Sequence, residues 1–229
     1  MKQIVLDNWL SKLMGKPAYV LQGTFDDLTK QDLPKDKIFI WTKISVNDSA
    51  KLDCLQKLGF YIVDTNIQLS INTKMSDTKN TSIRFANSTD ENAIKDLAKT
   101  SFKYSRFHLD PQISEKVASK IKEEWAGNYF YGKRGRWMVV AEHNSKVVGF
   151  LQILSKSDNI IVIDLIAVNE KNRGKGFAKD MISYAFINCL HNGGKIEVGT
   201  QITNIASLDL YTKLGFRISS SSYVLHMHQ

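Results

Sequence analysis

The densest group of side chains that could do chemistry lies between a strand-like apolar run and a helix-like one. From Val168 to Lys179 the sequence is VNEKNRGKGFAK. Glycines let a backbone approach a ligand closely, and the free N–H groups of a first helical turn favour an anion. Positive charge is added at the same place by Lys171, Arg173, Lys175 and Lys179. The segment therefore predicts a phosphate or pyrophosphate site.

Two familiar phosphate motifs fit this segment less well. The pattern GxxxxGK[ST] is absent, and a GxGxxG pattern meets Lys179 where its third small residue belongs. The plain structural alternative is a solvated basic turn whose glycines serve only the bend.

A second feature is an internal repeat. Val46–Phe60 aligns with Ile202–Phe216, and seven of the fifteen pairs are identical, including the run Lys-Leu-Gly-Phe. One interpretation is a common amphipathic helix with a glycine at its end. The sharper one is that the N-terminal segment partly copies the second half of the C-terminal fold. Leu55 aligns with Tyr211, so the first copy lacks any chemistry that Tyr211 performs.

The elements that must position these residues follow from periodicity and from turn residues. Helices are predicted after a capping box at 88–91, ending near Phe102, and at Ile113–Trp125, Phe177–Leu190 (stopped at 192–194) and Ile205–Leu214. Strands are predicted at Trp137–Glu142 and Val147–Leu154, joined as a hairpin, at the central Ile160–Val168, at Lys195–Gln201 and within Phe216–His228. Ile38–Leu69 is expected to form a strand–helix–strand unit like Lys195–Leu225.

The polar segment Asn66–Ser82 predicts a linker between two domains, residues 1–75 and 83–229. The 229 residues carry 31 Lys+Arg against 23 Asp+Glu, a net charge of +8, which indicates an anionic partner. No apolar run approaches the ~20 residues of a membrane span, and the N-terminus does not resemble a secretory signal. Two cysteines are too few for a disulfide framework, so a reducing, cytoplasmic setting is expected. Nucleic-acid signatures are absent.

Arg173–Ala178 fits the R/Q-x-x-G-x-G/A signature of the GNAT N-acetyltransferase superfamily. Asn204–Phe216 resembles that superfamily's N-x-x-A-x-x-x-Y-x-x-x-G-F segment. The resemblance covers about residues 83–229. It implies an α/β (α+β) GNAT fold with a central mixed, mostly antiparallel sheet. The N-terminal segment would be a smaller, truncated GNAT-like domain.

The resemblance also implies acetyl-CoA as a co-substrate and no metal. The residues it assigns to acetyl-CoA are Ile166, Ala167, Val168, Arg173, Gly174, Lys175, Gly176, Phe177, Ala178, Asn204 and Tyr211. The Val168 N–H would stabilise an oxyanion. Tyr211 would protonate the departing thiolate, because a phenol with a pKa near ~10 stays protonated beside a thiol near ~8.5. The general base is open between Asp164 and His108. Asp164 is expected on the same strand face as Ile166 and Val168.

Aromatic and basic residues after the first C-terminal helix suit a base or sugar adjoining a phosphate. The candidate acceptor-binding residues are Ser105, Arg106, Phe107, His108, Trp125 and Arg136, with Lys133 and Arg134 as further cations. Ser105–Phe107, Trp125 and the two motifs above resemble the TDP-fucosamine acetyltransferase type of GNAT enzyme, although Glu170–Asn172 make the cofactor loop longer and more basic.

The implied function is transfer of an acetyl group to a dTDP- or UDP-linked amino-deoxysugar for cell-surface polysaccharide, by direct attack in a ternary complex. The alternatives are another amine acceptor, such as a protein N-terminus or a polyamine, or a non-catalytic CoA-binding module. A homodimer is plausible. His226 and His228 share a strand face, but without further ligands they do not predict a metal site.

Overall fold

A single ten-stranded sheet organises the chain in the computed structural model, which describes residues 3–23, 28–72, 82–190 and 194–229. The strands are β1 Gln3–Leu6, β2 Ala18–Gln22, β3 Phe39–Ser45, β4 Tyr61–Ile71, β5 Ile83–Phe85, β6 Trp137–His143, β7 Lys146–Ser157, β8 Ile160–Val168, β9 Lys195–Gln201 and β10 Arg217–His228. Their order across the sheet is β1-β2-β3-β10-β4-β9-β8-β7-β6-β5. Only the β2–β3 and β8–β9 pairs are parallel among the described strands. The predicted mixed, mostly antiparallel sheet is confirmed.

Helices cover both faces of the sheet. They are α1 Asn8–Met14, α2 Ser49–Lys57, α3 Glu91–Ser101, α4 Arg106–Leu109, α5 Glu115–Gly127, α6 Phe177–Cys189 and α7 Ile205–Lys213. Strand β6 alternates between two apolar clusters: Met138 and Val140 pack with α3 and α5, whereas Val139 and Ala141 pack with α6. The central strands are therefore buried on both faces, as their apolar sequences predict.

The predicted hairpin is confirmed. Asn144 and Ser145 both adopt positive φ, 51° and 58°, between β6 and β7. That geometry belongs to the two-residue turns that suit the twist of adjacent strands. The predicted helices and strands of the C-terminal segment are all present, with ends shifted by a few residues. A 3-10 turn, Ser88–Asp90, precedes α3, and the capping box lies one residue earlier than predicted, because it joins Asn87 and Asp90.

The predicted linker is wrong over its first residues. Strand β4 continues to Ile71, and Ile67, Leu69 and Ile71 alternate into the core. Intervening polar residues obscured that alternation in the sequence. Residues 73–81 of the predicted linker, and residues 192–193 of the predicted helix stop, lie outside the described residues.

The strand–helix–strand prediction for Ile38–Leu69 is confirmed as β3, α2 and β4. The second unit consists of β9, α7 and β10. The strands of the two units alternate in the sheet, because β10 lies between β3 and β4, and β4 lies between β10 and β9. Residues before and after the predicted boundary thus share one sheet, and the division into two domains stays a prediction. In the part of the chain that the structure describes, no helix is long and apolar enough to cross a membrane.

Candidate active site

A β-bulge at Asp164 opens the sheet. The β7–β8 pairing runs from Gln152↔Leu165 to Ile153↔Ile163 and skips Asp164. On the other side of β8, pairing with β9 ends at Ile163↔Val198. Bulges bend a strand and change the direction of its side chains. Beyond Ile163, β8 therefore diverges from β9 and leaves a gap, as the sequence resemblance implied.

The bulge also overturns the prediction about the face of Asp164. Asp164 accepts from Trp125 of α5, whereas Ile166 and Val168 pack with the cluster that contains α6. Simple alternation would put all three on one face, but the extra residue in β8 reverses the alternation after it.

Backbone donors of β8 face the gap. The Asn169 N–H donates to the Val148 carbonyl at 2.7 Å. Gly149 and Val168 are opposite each other in the same antiparallel ladder. Because N–H directions alternate along such a ladder, the Val168 N–H points away from β7 and into the gap.

The glycine-rich loop bends sharply into α6. Gly174 and Gly176 have φ of 77° and 88°, and a Cβ at either position would meet no heavy atom within 4 Å. Gly176 is the N-cap of α6 and supplies no side chain to the first-turn N–H groups. These donors, beside exposed Arg173 and Lys179, fit the diphosphate of a coenzyme A molecule.

The gap and the loop form a cleft of about 540 Å³. Nine of the eleven residues predicted for acetyl-CoA line it: Ile166, Ala167, Val168, Arg173, Gly174, Gly176, Phe177, Ala178 and Asn204. The Lys175 side chain is in the loop but outside the lining. Residues 101–104, Gln201, Ser207 and Leu210 also line the cleft and were missed in the sequence, and Ser105, predicted for the acceptor, lines it as well.

Tyr211 is buried rather than in the cleft lining. Its ring is 2% exposed and packs against Phe216 with centroids 5.3 Å apart. Burial raises the pKa of its phenol, so the hydroxyl stays protonated at neutral pH. Asn204 caps α7 by accepting from the Ser207 N–H at 3.3 Å. Tyr211 and Asn204 thus both have structural roles. The catalytic role of Tyr211 and the acetyl-CoA-binding role of both residues stay predictions.

A second cavity, of about 660 Å³, adjoins the cleft; we call it the acceptor cavity. Ser105 and Gln201 line both spaces. Four predicted acceptor residues line the acceptor cavity: Ser105, Arg106, Phe107 and Trp125. Much of the remaining wall comes from the N-terminal segment, through Asp7, Trp9, Trp41, Lys43, Asp64, Asn66 and Gln68. No site residue was predicted in that segment from the sequence.

Cations are concentrated in this cavity, with Lys43, Arg106, Lys122, Lys133 and Arg134 in its wall. Burial lowers the pKa of Arg106 to about 9 and that of Lys122 to about 8. The Arg106 guanidinium lies 3.6 Å from the centroid of the Trp41 ring, and its Nη1 is buried without a hydrogen-bond partner among the described residues. Buried cations are costly unless they are paired, so this wall favours an anionic ligand.

Lys122 was missed, although the sequence holds a signal for it. It lies four residues after Ala118 and three before Trp125, which places it on the apolar stripe of α5. A lysine within such a stripe must either reach solvent or serve a buried site. The Lys122 side chain is 9% exposed and its Nζ lies 4.7 Å from the Trp125 ring centroid.

Asp164 is poorly placed to act as the general base. Its oxygens accept from Trp125 Nε1 at 2.9 Å, from Gln152 Nε2 at 3.2 Å and from both Nε and Nη2 of Arg134 at 2.7 and 2.6 Å. A carboxylate that already accepts four hydrogen bonds, two of them from an arginine, has its acceptor positions occupied. The geometry supports a positioning role for Asp164 instead of proton acceptance.

Two other predicted residues lie outside the cavity lining. His108 Nδ1 is 2.6 Å from Ser105 Oγ, and burial lowers the pKa of His108. Arg136 immediately precedes β6. Its N–H donates to the Ile153 carbonyl, and its guanidinium lies 4.9 Å from the Trp137 ring centroid. Arg134, two residues earlier and followed by Gly135 with its φ of 86°, lines the cavity instead of Arg136.

His226 and His228 meet a third potential ligand, Asp110, which the sequence spacing did not reveal. Asp110 Oδ2 lies 2.6 Å from His226 Nδ1 and 2.8 Å from His228 Nε2, and Oδ1 accepts from Tyr61. Burial alone would raise the pKa of Asp110, but these hydrogen bonds hold it well below its usual value. Direct hydrogen bonds at these distances connect β10 to the segment after α4.

The fold and the cleft define a class, and sequence comparison agrees with it. Residues 93–216 match the acetyltransferase (GNAT) family, which is more than half of the chain. The chain therefore belongs to the GNAT acetyltransferases, a family that uses acetyl-CoA. This membership confirms the predicted class of enzyme, an acyl-CoA-dependent N-acetyltransferase.

Two named relatives concern polysaccharide or sugar chemistry. The chain is 24% identical over 201 residues to a protein of Escherichia coli O6:H1 named dTDP-fucosamine acetyltransferase, covering 85% of each chain. It is 35% identical over 139 residues to the spore coat polysaccharide biosynthesis protein SpsD of Bacillus subtilis. That match covers 60% of this chain and 47% of SpsD, so this chain spans about half the length of that relative.

Solved structures support the fold. A GNAT-family protein from Novosphingobium aromaticivorans superposes with a TM-score of 0.60, at 14% identity, over 92% of this chain and 84% of that one.

Proposed function

We propose that this protein transfers the acetyl group of acetyl-CoA to the amino group of a nucleotide-linked amino-deoxysugar, with dTDP or UDP as the nucleotide. The observation that carries the proposal is the acceptor cavity, which is rich in buried cations and meets the acetyl-CoA cleft at Ser105 and Gln201. Its volume of about 660 Å³ lies within the ~300–1,000 Å³ of small-molecule sites.

Charge selects among the possible acceptors. Five cations and three carboxylates line the acceptor cavity. A polyamine or a basic peptide would be repelled by that excess, whereas a nucleoside diphosphate would neutralise it. Arg106 Nη1 and Trp41 Nε1, which have no hydrogen-bond partner among the described residues, are donors that a diphosphate or a sugar hydroxyl would satisfy. The names of the two relatives are consistent with sugar chemistry.

The donor side follows from the cleft. Acetyl-CoA supplies the thioester that the amine attacks. The Val168 N–H, directed into the gap, would donate to the thioester carbonyl oxygen, and the first turn of α6 would bind the diphosphate. Tyr211 would protonate the departing sulfur, a role that requires its buried hydroxyl to reach the cleft in the complex. The acetylated sugar would serve cell-surface polysaccharide, and the enzyme would act in the cytoplasm.

A thiol-release assay tests the acceptor. Acetyl-CoA is supplied with dTDP- and UDP-linked 3-amino and 4-amino deoxysugars, with spermidine, and with a peptide that has a free N-terminus. We expect release with at least one nucleotide-linked aminosugar and none above background with spermidine. Release with spermidine or the peptide alone would reject the proposal in favour of another GNAT acceptor.

A further inference from the structure

Asp64 of β4 stands out among the charged groups of the acceptor cavity. Its side chain lines the cavity and is 6% exposed. Neither carboxylate oxygen has a hydrogen-bond partner among the described residues, although the Thr65 N–H and the Gln201 side chain are close enough to lower its pKa somewhat. Buried carboxylates are normally hydrogen-bonded, so two buried oxygens without a partner in the wall of a cavity indicate a ligand that donates to them.

The elements packed around Asp64 give it few stabilising partners. Lys43 of β3 and Arg106 of α4 attract its negative charge and so lower its pKa. The neutral side chain of Gln201, from β9, also lowers it. The other charged residues in the cavity wall are Asp7, Lys122, Lys133, Arg134 and Asp164. Burial outweighs the nearby cations and raises the pKa of Asp64 to about 6. Asp64 is thus mostly ionised at pH 7, yet it is a far stronger proton acceptor than an ordinary aspartate near ~3.9.

The position of Asp64 also fits the reaction. Gln201, which acts on the Asp64 carboxylate, is one of the two residues that line both the cavity and the cleft. The acceptor nitrogen and the thioester must meet at that junction. Asp164, which the sequence offered as a candidate base, already accepts four hydrogen bonds.

We propose that Asp64, supplied by the N-terminal segment, accepts a proton from the acceptor ammonium before the amine attacks. The inference rests on the proposed function and names the base of that same site. An amine reaches an enzyme at neutral pH mainly as R–NH₃⁺, which has no lone pair for attack.

The protons and bonds balance as follows. Asp64 takes one proton, which leaves R–NH₂ and a neutral carboxyl. The nitrogen lone pair forms the N–C bond, and the C–S bond breaks with its electron pair on sulfur. The second proton lost from nitrogen offsets the one delivered to the thiolate, so the products are the amide and the free thiol. Asp64 then releases its proton to solvent.

The pH dependence of kcat/KM tests this directly, measured on the full chain with the nucleotide-linked aminosugar that the wild type acetylates. In the wild type, the reaction requires Asp64 in its ionised form and the acceptor amine in its protonated form. The logarithm of kcat/KM should rise up to about pH 6 and then stay level until the pKa of the amine. In Asp64→Asn only the free amine reacts, so kcat/KM should keep rising through that level region. We expect a loss of about 10²-fold at pH 6.5 that shrinks toward pH 9.

Two matched variants separate catalysis from structure. Asp64→Glu retains a carboxylate and should retain the level region, at a reduced value. Asp53→Asn changes an exposed aspartate of the same unit, which pairs with Lys57, and should leave the profile unchanged. The affinity for acetyl-CoA, measured by calorimetry, reports whether each variant is folded.

The outcomes are distinguishable. If the wild type acetylates none of the nucleotide-linked aminosugars, the proposed function fails, and the role of Asp64 fails with it. If the wild type is active and Asp64→Asn keeps the wild-type profile, or loses the same factor at every pH, the role of Asp64 alone is overturned.

Discussion

The two strand–helix–strand units share a backbone plan and differ in their surroundings. In the first unit (β3, α2, β4) Asp48 caps the helix, and in the second (β9, α7, β10) Asn204 does. Gly59 and Gly215 end the two helices at φ of 100° and 88°. The strand order β3-β10-β4-β9 places one strand of each unit between the two strands of the other. This arrangement supports the interpretation of the repeat as a duplication.

The difference lies at the equivalent positions Leu55 and Tyr211. Each is the buried residue of its helix, 0% and 2% exposed. Packing at this position is therefore common to both units, and a buried tyrosine is no evidence for catalysis by itself. What distinguishes the second unit is that its helix N-terminus borders the cleft proposed for acetyl-CoA, through Asn204 and Ser207. The first unit instead contributes Asp64 and Lys43 to the acceptor cavity.

The largest expected effect separates the hydroxyl of Tyr211 from its ring. Tyr211→Phe keeps the packing against Phe216 and removes the proton donor, so we expect turnover to fall by roughly 10²–10⁴-fold. Acetyl-CoA affinity and the melting temperature should change little. Steady-state kinetics and calorimetry measure these quantities. Unchanged turnover would show that Tyr211, like Leu55, serves packing alone.

An exchange of the two caps should have an intermediate effect. Asn204→Asp keeps an oxygen that can accept from the Ser207 N–H, but it places a negative charge in the wall of the cleft. We expect the Kd for acetyl-CoA to rise by about tenfold, roughly 1.4 kcal/mol. The matched change Asp48→Asn in the first unit should leave this Kd unchanged. Equal effects of the two changes would contradict the assignment of the cleft to acetyl-CoA.

The smallest expected difference concerns the two glycines. A Cβ at Gly59 meets no heavy atom within 4 Å, and one at Gly215 meets only Ile71 Cδ1 at 3.6 Å. Alanine at either position is strained by its positive φ, so each change should lower the free energy of unfolding by about 1 kcal/mol. Urea denaturation compares the two. A much larger loss at one position would show that the units are not packed alike.

Much of the fold and of the cleft was predictable because the signals are local. The glycines at 174 and 176, the apolar run of β8 and the helix stop at Gly215 each act over a few residues. The resemblance to a family joined them into one cleft, and nine of its eleven predicted residues line that cleft.

The acceptor cavity was less predictable because its wall depends on long-range pairing. Asp64 and Lys43 reach it only because β3 and β4 pair with β10. Arg134 lines the cavity and Arg136 does not, and the chain bends between them at Gly135, which has a positive φ. The bulge at Asp164 is likewise invisible to strand alternation, which assumes a regular ladder.

We propose that buried cations of the acceptor cavity bind a nucleoside diphosphate. The most direct measurement is calorimetric titration of dTDP and UDP into the acetyl-CoA-saturated wild type, Arg106→Gln and Arg136→Gln. Arg106 lines the cavity and Arg136 does not, so the second variant is the matched control. We predict that at least one nucleotide binds, that Arg106→Gln weakens it by about tenfold or more, and that Arg136→Gln changes it by less than about twofold. If neither nucleotide binds, or if both variants lose the same amount of affinity, these cations do not bind a nucleoside diphosphate.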